Sequence, residues 1–358
     1  MKILILTSKF GMGHFCAAEA IKEELELKSY NDIVNIVDII EYVFPKLNKS
    51  IYGAFNIFIS KVSWVYNFVN GLFKNNEDNS LNKRTLNRID NMIKKYNPDL
   101  IISTWSACSK YISIYKNKFK KDIPLYTYIT DISIHDGWIT KGTNMYIVAT
   151  KDTKDMLISK GISGKRIIIN GIPVRNCFKK DNHTIALNNK KEILIMGGGL
   201  GIIPDIFNIL KGLNKENNLN VTVITGKNKK LFRKIKKMFP EIDVVGYTNK
   251  IDEYMRNADL LVTKPGGIST FEAIYSNTPL YIVTPVFSQE IGNAKFIEKN
   301  SIGKVAWQNG FNIANDIICV ANNEALLENM KKNIKVVKSH IEEFKLKKVC
   351  KRKTRKCG

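Results

Sequence analysis

The sequence predicts an α/β protein of two domains, each built on a mainly parallel sheet, that face each other across a cleft. Short apolar runs alternate with helical patterns, and this alternation occurs twice, once in each half of the chain. A length of 358 residues suits two domains that each bury a full core. A stretch rich in Asn, Lys and Asp, residues 176–190, separates the halves as a linker. We therefore place the first domain at 1–178, the second at 179–340 and a basic tail at 341–358.

The apolar segments of both halves have the composition of buried strands. Each is short and dominated by Ile, Val, Leu and Tyr, as in strands of a parallel sheet. Apolar residues at helical spacing follow several of them and predict helices, most clearly at 15–27, 151–160 and 251–257. The predicted strands are residues 2–7, 33–38, 100–104, 124–131, 145–149, 192–196, 221–225, 243–247, 259–263 and 279–285.

Residues 264–273 form the strongest candidate binding motif. They follow an apolar strand with a Pro-Gly-Gly turn, and Ser269 and Thr270 are N-cap residue types that predict a helix from Phe271. Free N–H groups and the positive end of a helix dipole would then face an anionic ligand. Glu272 falls in the first turn, where an acidic side chain could accept hydrogen bonds from ribose hydroxyls. An ordinary strand–turn–helix connection fits the same residues, because short glycine motifs recur by chance.

A second glycine-containing turn, residues 8–14, follows the first strand. The GxGxxG fingerprint is absent, because position 16 is Cys16 and no third glycine follows, which argues against an ordinary dinucleotide cofactor. His14 stands at the helix entrance instead, at the carboxyl end of a strand. An imidazole with an ordinary pKa near 6.5 suits proton abstraction at neutral pH, so His14 is a candidate general base. The alternative is a histidine that caps or packs.

Two further turns carry candidate groups. Four glycines within residues 197–201 follow the first strand of the second half, and they would let the backbone approach a diphosphate closely. Asp131 closes the strand 124–131, where its carboxylate could orient or charge-stabilise a base, or cap the following turn. No acidic DxD cluster stands where a metal would be needed.

The net charge of +23 indicates a polyanionic partner, which could be nucleic acid, an anionic membrane surface or a phosphorylated ligand. The first 180 residues carry 27 basic and 16 acidic side chains, and residues 345–358 carry eight basic and no acidic ones. The six cysteines have no metal-ligand spacing, and no secretory signal or membrane-spanning run is evident. These features predict a cytoplasmic protein with free thiols.

Residues 41–75 crowd large aromatic and aliphatic side chains together with several lysines. This composition suits a helix in a membrane interface, and a pair of core helices over the first sheet is the alternative. The candidate membrane residues are Phe55, Phe58, Trp64, Tyr66 and Phe68.

Several motifs, in order, resemble one family. Residues 11–18 look like a GxGHxxAA opening, residues 130–138 like a TD…H..W segment, and residues 170–175 like a TGIPV stretch. Residues 225–228, 264–272 and 289–293 resemble its donor-site blocks, whereas Trp105-Ser106 stands where the family usually has His-Pro. The family is the monogalactosyldiacylglycerol synthases and processive diacylglycerol glucosyltransferases of glycosyltransferase family 28.

The resemblance implies two Rossmann-like domains of the GT-B type and an inverting, metal-independent enzyme without a cofactor. A UDP-sugar would bind the second domain, with Glu272 on the ribose, and His14 would deprotonate a lipid hydroxyl with support from Asp131. The resemblance also marks His135 and Trp138 as acceptor-side or membrane-side residues. Its further donor-binding residues are Gly199, Gly201, Gly226, Lys227, Asn228, Gly246, Tyr247, Pro265, Gly266, Gly267, Ser269, Thr270, Gln289, Glu290 and Asn293.

A diacylglycerol acceptor stays in the bilayer, so we expect a peripheral enzyme on the inner face of the cell membrane, bound through residues 41–75 and the basic tail. Two other functions are considered. The first is transfer of N-acetylglucosamine to a lipid-linked cell-wall precursor, whose enzymes usually have a GGxGGH loop that is absent here. The second is nucleic-acid binding, for which the chain has charge but no recognisable motif.

Overall fold

The computed structural model describes residues 1–10, 12–28, 31–46, 52, 81–180, 190–285, 288–307 and 312–341. The candidate membrane residues Phe55, Phe58, Trp64, Tyr66 and Phe68 lie outside these described residues. Within them, twelve strands form two six-stranded parallel sheets, which confirms the predicted fold class.

The first sheet has the strand order β2-β1-β3-β4-β5-β6, and the second has the order β12-β11-β10-β7-β8-β9. In each sheet, the first strand of the half lies inside the sheet, and the chain then continues to both sides of it. The strands are β1 Lys2–Thr7, β2 Ile33–Asp38, β3 Leu100–Ser103, β4 Leu125–Tyr128, β5 Met145–Val148, β6 Ile167–Ile169, β7 Lys191–Met196, β8 Leu219–Ile224, β9 Asp243–Val245, β10 Leu260–Thr263, β11 Leu280–Ile282 and β12 Gly303–Val305.

Helices connect successive strands and cover the sheets, as crossovers between parallel strands require. The helices are α1 Gly13–Lys28, α2 Ile39–Val43, α3 Lys83–Tyr96, α4 Ser106–Phe119, α5 Lys151–Ser159, α6 Ile206–Leu213, α7 Lys229–Met238, α8 Ile251–Asn257, α9 Gly267–Ser276, α10 Ser288–Lys299, α11 Ile313–Ala321 and α12 Glu324–Ser339. Short 3-10 turns occur at Asp136–Trp138, Gly164–Arg166, Asn176–Lys179 and Gly198–Leu200.

The strand order fixes where a ligand can bind. In each sheet the order reverses next to the first strand, between β1 and β3 and between β7 and β10. Loops that leave the carboxyl ends of two such strands run in opposite directions and open a crevice. The turn before α1 follows β1, and the turn before α9 follows β10, so both predicted motifs stand at these points.

The two halves share an apolar cluster. Ile132, Ile172 and Phe178 pack in one buried group with Phe271 and Ile274 of α9. At the start of the predicted linker, residues 176–179 form a 3-10 turn in which Phe178 is buried. The boundaries at 178 and 340 otherwise stay a prediction.

The 197–201 glycines do not lead directly into a helix. Residues 198–200 form a 3-10 turn, and α6 begins only at Ile206, after Pro204 and the left-handed residue Asp205. Pro204 lacks the N–H that a continuous helix from the glycines would need. The described members of the 41–75 segment, including Tyr42, Phe44 and Tyr52, pack on the core of the first domain.

Candidate active site

His14 is the second residue of α1, directly after the loop that leaves β1. Its imidazole Nδ1 lies 2.8 Å from the hydroxyl oxygen of Thr130, which stands two residues after β4. The Thr104 hydroxyl, which follows β3, donates to the backbone carbonyl of His14 at 3.0 Å. Three neighbouring strands thus fix one partly exposed imidazole through loops at their carboxyl ends.

The pKa of His14 is lowered to about 4, chiefly because burial disfavours the charged imidazolium. A hydrogen bond with the backbone of Thr104 opposes this shift, and the nearby His135 adds to it. The imidazole is therefore neutral at physiological pH, which is the protonation state that a general base needs.

The oxygen that contacts His14 Nδ1 belongs to Thr130, whereas the sequence had pointed to Asp131 as the supporting residue. Asp131 lies next to it in the chain, and its pKa is raised to about 7 by burial and by the charge of Glu290. A carboxyl group with this pKa titrates in the physiological range, so Asp131 can hold or release a proton there. Its role as a supporting carboxylate stays a prediction.

His135 and Trp138 lie on one short turn beside His14. The His135 Nδ1 accepts the N–H of Gly137 at 3.2 Å and begins the 3-10 turn. Trp138 is only 1% exposed, and its ring centroid lies 6.3 Å from that of His14. Trp138 is therefore packed beside the imidazole, and its assignment to the acceptor or membrane side stays a prediction.

Helix α9 begins earlier than its sequence predicts. Gly266 is the N-cap, Gly267 is the first helical residue, and Ser269 and Thr270 lie inside the first turn. The Thr270 hydroxyl donates to the Gly266 carbonyl at 2.8 Å, so it bonds back along the helix and does not cap it. The helix thus begins two residues after Pro265.

Glu272 is 8% exposed and faces α1 from the second turn of α9. Its pKa is raised to about 7, first by burial and then by the charge of Asp252, whereas Arg175 acts in the opposite direction. The nearby positive charge of Arg175 offsets only part of the cost of burying a carboxylate. Such a carboxylate is destabilising unless hydrogen-bond donors reach it. Ribose hydroxyls are donors of the required kind.

Cys16 and Arg175 adjoin Glu272, and no role for either was predicted. The charge of Glu272 contributes to raising the pKa of the Cys16 thiol to about 12, after burial as the main cause. The charge of Arg175 lowers the pKa values of Cys16, Glu19 and Glu272 against the effect of burial, and its guanidinium donates to the Asn249 carbonyl at 3.3 Å. Arg175 directly follows the 170–174 motif, which was the one available signal.

The two halves touch through the segment after β4. A side chain at Gly267 would collide with the backbone carbonyl of Thr130, and one at Gly292 would collide with Ser133. Only glycine allows α9 and α10 to approach this segment so closely. Thr130 therefore contacts the base through its hydroxyl and the start of α9 through its backbone.

Asn293 joins the same parts and is 1% exposed. Its Oδ1 accepts the N–H of Ile132 at 3.1 Å, and its Nδ2 donates to the Pro265 carbonyl at 2.9 Å. Glu290, one turn earlier, lies 3.7 Å from Lys264 Nζ. The amide of Asn293 is thus engaged between the halves, and sugar binding by Glu290 and Gln289 stays a prediction.

The remaining donor-side residues form one rim of the crevice. The Lys227 N–H donates to the Gly199 carbonyl at 3.0 Å, which ties the turn of Gly226 to that of Gly199 and Gly201. Asn228 caps α7 by accepting the N–H of Leu231, so its side chain is engaged in the fold.

Lys227 itself reaches across the crevice. Its Nζ lies 5.7 Å from the ring centroid of Tyr247 and 3.9 Å from Met12 Sδ. Tyr247 follows Gly246 and is 62% exposed, so one face of a ring is available for stacking. A cation and an exposed aromatic ring at one rim suit a diphosphate joined to a base.

We expect Glu272→Gln to change how stability depends on pH. The folded-state pKa of about 7 exceeds the unfolded value of 4.5, so the folded protein binds the extra proton and loses stability as pH rises through 7. Between pH 5.5 and 8.5 Glu272 contributes about 2 kcal/mol to this loss in the wild type. The glutamine variant should lack this contribution and keep that of Asp131, whose pKa is also raised to about 7. Chemical denaturation at both pH values measures the difference, and equal slopes in the two proteins would contradict the assignment.

Comparison with known proteins identifies the family. Residues 14–174 match the family described as monogalactosyldiacylglycerol (MGDG) synthase, and residues 192–344 match the glycosyltransferase family 28 C-terminal domain. A processive diacylglycerol beta-glucosyltransferase of Staphylococcus epidermidis is 30% identical over 370 residues, with 98% of this chain and 91% of the relative covered. This chain belongs to the diacylglycerol glycosyltransferases of family 28.

A second relative has the same description. The processive diacylglycerol beta-glucosyltransferase of Bacillus pumilus is 29% identical, with 93% of this chain and 90% of the relative covered. This family 28 protein is therefore similar to both relatives over both of its domains.

Solved structures show the same fold at low identity. MurG of Acinetobacter baumannii aligns with a TM-score of 0.59 and 13% identity, covering 98% of each chain. The HepE protein of Anabaena, solved with UDP and glucose, aligns with a TM-score of 0.58 and 13% identity over 100% of this chain and 99% of its own. These likenesses confirm the two-domain GT-B architecture of this family 28 protein.

No helix within the described ranges is both long and apolar enough to cross a membrane. Across the same part of the chain, no three His, Cys, Asp or Glu side chains are grouped so as to hold a metal ion.

Proposed function

We propose that this protein transfers glucose from UDP-glucose to the free hydroxyl of diacylglycerol, or of a glycosyl-diacylglycerol, with inversion at the anomeric carbon. The observation that carries the proposal is the contact of two helices, one from each half. Helix α1 holds a neutral imidazole at its start, and α9 packs against it with a buried carboxylate. The names of the full-length relatives support the choice of sugar and acceptor.

The donor would bind the second half of the crevice. Glu272 would accept hydrogen bonds from the ribose hydroxyls, and the ring of Tyr247 would stack on the uracil. The diphosphate would lie near Lys227, the 197–201 turn and the first turn of α9, where N–H groups and a cation stabilise negative charge. These groups supply charge stabilisation to the departing UDP, so the proposal includes no metal ion.

The acceptor hydroxyl would approach His14 from the other half. The tautomer with hydrogen on Nδ1 donates to Thr130 and leaves Nε2 free to take the hydroxyl proton. The hydroxyl oxygen then forms a bond to the anomeric carbon as the bond to the diphosphate oxygen breaks. One displacement on the face opposite UDP inverts the configuration, and the proton remains on His14 until release.

The acceptor also determines where the protein works. Diacylglycerol lies in a bilayer and a UDP-sugar lies in the cytoplasm, so we place the protein at the inner face of the cell membrane as a peripheral enzyme. Segment 41–75 and the basic tail would hold it there. Nucleic acid has no place in this function.

The test is a transfer assay with each of three labelled donors, UDP-glucose, UDP-galactose and UDP-N-acetylglucosamine. Each donor is offered with diacylglycerol in liposomes or with a lipid-linked cell-wall precursor. We expect labelled glycolipid from UDP-glucose and diacylglycerol. Transfer of N-acetylglucosamine to the precursor alone would refute the proposal and support the alternative enzyme.

We expect Thr130→Val to lower kcat about 10-fold, because the variant loses the hydrogen bond that orients the imidazole ring. The KM for UDP-glucose should stay unchanged, since the diphosphate groups are untouched. Thr130→Ser keeps the hydroxyl and should restore most of the activity. Equal loss in both variants would indicate that the residue serves packing and not the orientation of His14.

A further inference from the structure

Helix α7 carries an unusually dense positive face. Six of its ten residues are basic and none is acidic, although residues 181–344 as a whole contain nearly equal numbers of both. All six side chains are exposed to solvent. They are Lys229, Lys230, Arg233, Lys234, Lys236 and Lys237.

The basic residues lie on one side of the helix. At about 100° per residue they span an arc of about 160°, and the opposite arc holds Leu231, Ile235 and Phe239. These three apolar side chains pack into the core of the second domain. The packing fixes the rotation of α7, so the positive face is held outward.

Acidic neighbours do not neutralise this face. In the described parts of the chain, none of the six basic side chains forms an ion pair with a carboxylate. Two of them rest over aromatic rings instead, Lys234 on Phe207 at 4.1 Å and Lys236 on Phe232 at 5.9 Å. These contacts orient the stems and leave the charges in solvent.

The face begins at the rim of the crevice. Asn228 caps α7, and the preceding residue Lys227 reaches Met12 on the loop before His14. A surface that binds α7 would therefore lie close to the opening through which an acceptor must enter.

We propose that the outward face of α7 binds the anionic phospholipid surface of a bilayer, as a contact on the donor-binding domain. The inference rests on the proposed function, because the acceptor lies in that bilayer. The six basic side chains form no ion pair with a carboxylate and are held on one side of a helix. They can therefore attract the layer of phosphate groups at a bilayer surface. No aromatic side chain lies on the arc to stack with nucleic-acid bases, which favours the bilayer over a single strand.

The contact gives the second domain its own attachment beside the predicted one on the first domain. Because α7 begins at the rim of the crevice, its attachment would hold the opening toward the bilayer, in addition to the attachment predicted through residues 41–75 and the basic tail. The sum of their free energies sets the overall affinity, so removal of one is measurable while the other remains.

The test compares two variants that lose the same charge. The first is Arg233→Gln/Lys234→Gln/Lys237→Gln on α7. The control replaces the exposed Lys151, Lys165 and Lys332, which lie on three separate elements, by glutamine. Full-length proteins are sedimented with phosphatidylcholine vesicles that contain about one third phosphatidylglycerol, without any sugar donor.

We expect the α7 variant to bind these vesicles on the order of 100-fold more weakly than the wild type. The affinity of the control variant for the vesicles should decrease much less. Equal losses in both variants would show that net charge alone matters and would overturn the proposal. Wild-type binding to duplex DNA with higher affinity than to the vesicles would overturn it in favour of a nucleic-acid partner.

Activity in neutral detergent micelles separates this proposal from the proposed function. With short-chain diacylglycerol in such micelles, the α7 variant should transfer glucose at the wild-type rate. If the wild type and both variants all fail to transfer glucose, the enzymatic function is refuted. The vesicle measurement then decides the membrane contact of α7 independently. A loss in micelles confined to the α7 variant would assign α7 to donor binding, against the proposal.

Discussion

His14→Ala should lower kcat by about 1000-fold, because a positioned general base contributes roughly 100-fold to 10,000-fold in proton transfer. The dissociation constant for UDP should stay unchanged, since His14 lies on the half opposite the donor turns. Steady-state transfer and calorimetric UDP binding measure the two effects. His340→Ala is the matched control, because His340 is exposed at the end of α12 and should keep full activity.

The imidazole itself gives an independent check. Burial lowers the pKa of His14 to about 4, so its ring resonances should titrate far below the ordinary value of 6.5. A His14 titration at the ordinary value would contradict the burial of the imidazole, and near-full turnover by His14→Ala would remove the base from the mechanism.

Glu272→Ala should weaken UDP-glucose binding by about 10-fold to 100-fold, which is the contribution of hydrogen bonds to a charged group. The kcat at saturating donor should change little, because the ribose lies away from the reacting bond. Calorimetry with UDP-glucose measures the affinity. Glu272→Gln keeps an acceptor oxygen, so its affinity for UDP-glucose should decrease less than that of the alanine variant.

Glu253→Ala is the control for this substitution, because Glu253 is exposed on α8. Its affinity for UDP-glucose should equal that of the wild type. Unchanged affinity in Glu272→Ala, with the protein still folded, would remove Glu272 from the donor site. A loss confined to kcat would point instead to a role in the chemical step.

The sequence alone predicted ten of the twelve strands, all except β6 and β12, and both turns that meet at the crevice. Buried parallel strands consist of short apolar runs, so periodicity and composition locate them without knowledge of tertiary contacts. The position of His14 after β1 and of Glu272 after β10 followed from the same reasoning, because loops at carboxyl ends of strands are local features.

Contacts between distant segments were beyond such reasoning. Thr130 stands 116 residues from His14, and no local pattern shows that its hydroxyl reaches the imidazole. The engagement of Asn293 with Ile132 and Pro265 likewise depends on how the halves meet. Trp138 was assigned to the acceptor or membrane side by resemblance, and only tertiary packing showed its burial.

The prediction of the start of α9 was wrong for a related reason. Ser269 and Thr270 are residue types that prefer the N-cap position. The helix nevertheless starts earlier, at Gly267, where the chain approaches the Thr130 carbonyl closely. A close contact between domains thus overrides a local preference of about 1 kcal/mol.

The configuration of the product tests the account most directly. UDP-glucose has an α-linked sugar, and a single displacement with one base at His14 must yield a β-linked glycolipid. Proton coupling at the anomeric carbon of the product from UDP-glucose and diacylglycerol distinguishes the two configurations. We predict only the β-anomer, and an α-linked product would contradict direct displacement by a hydroxyl activated at His14.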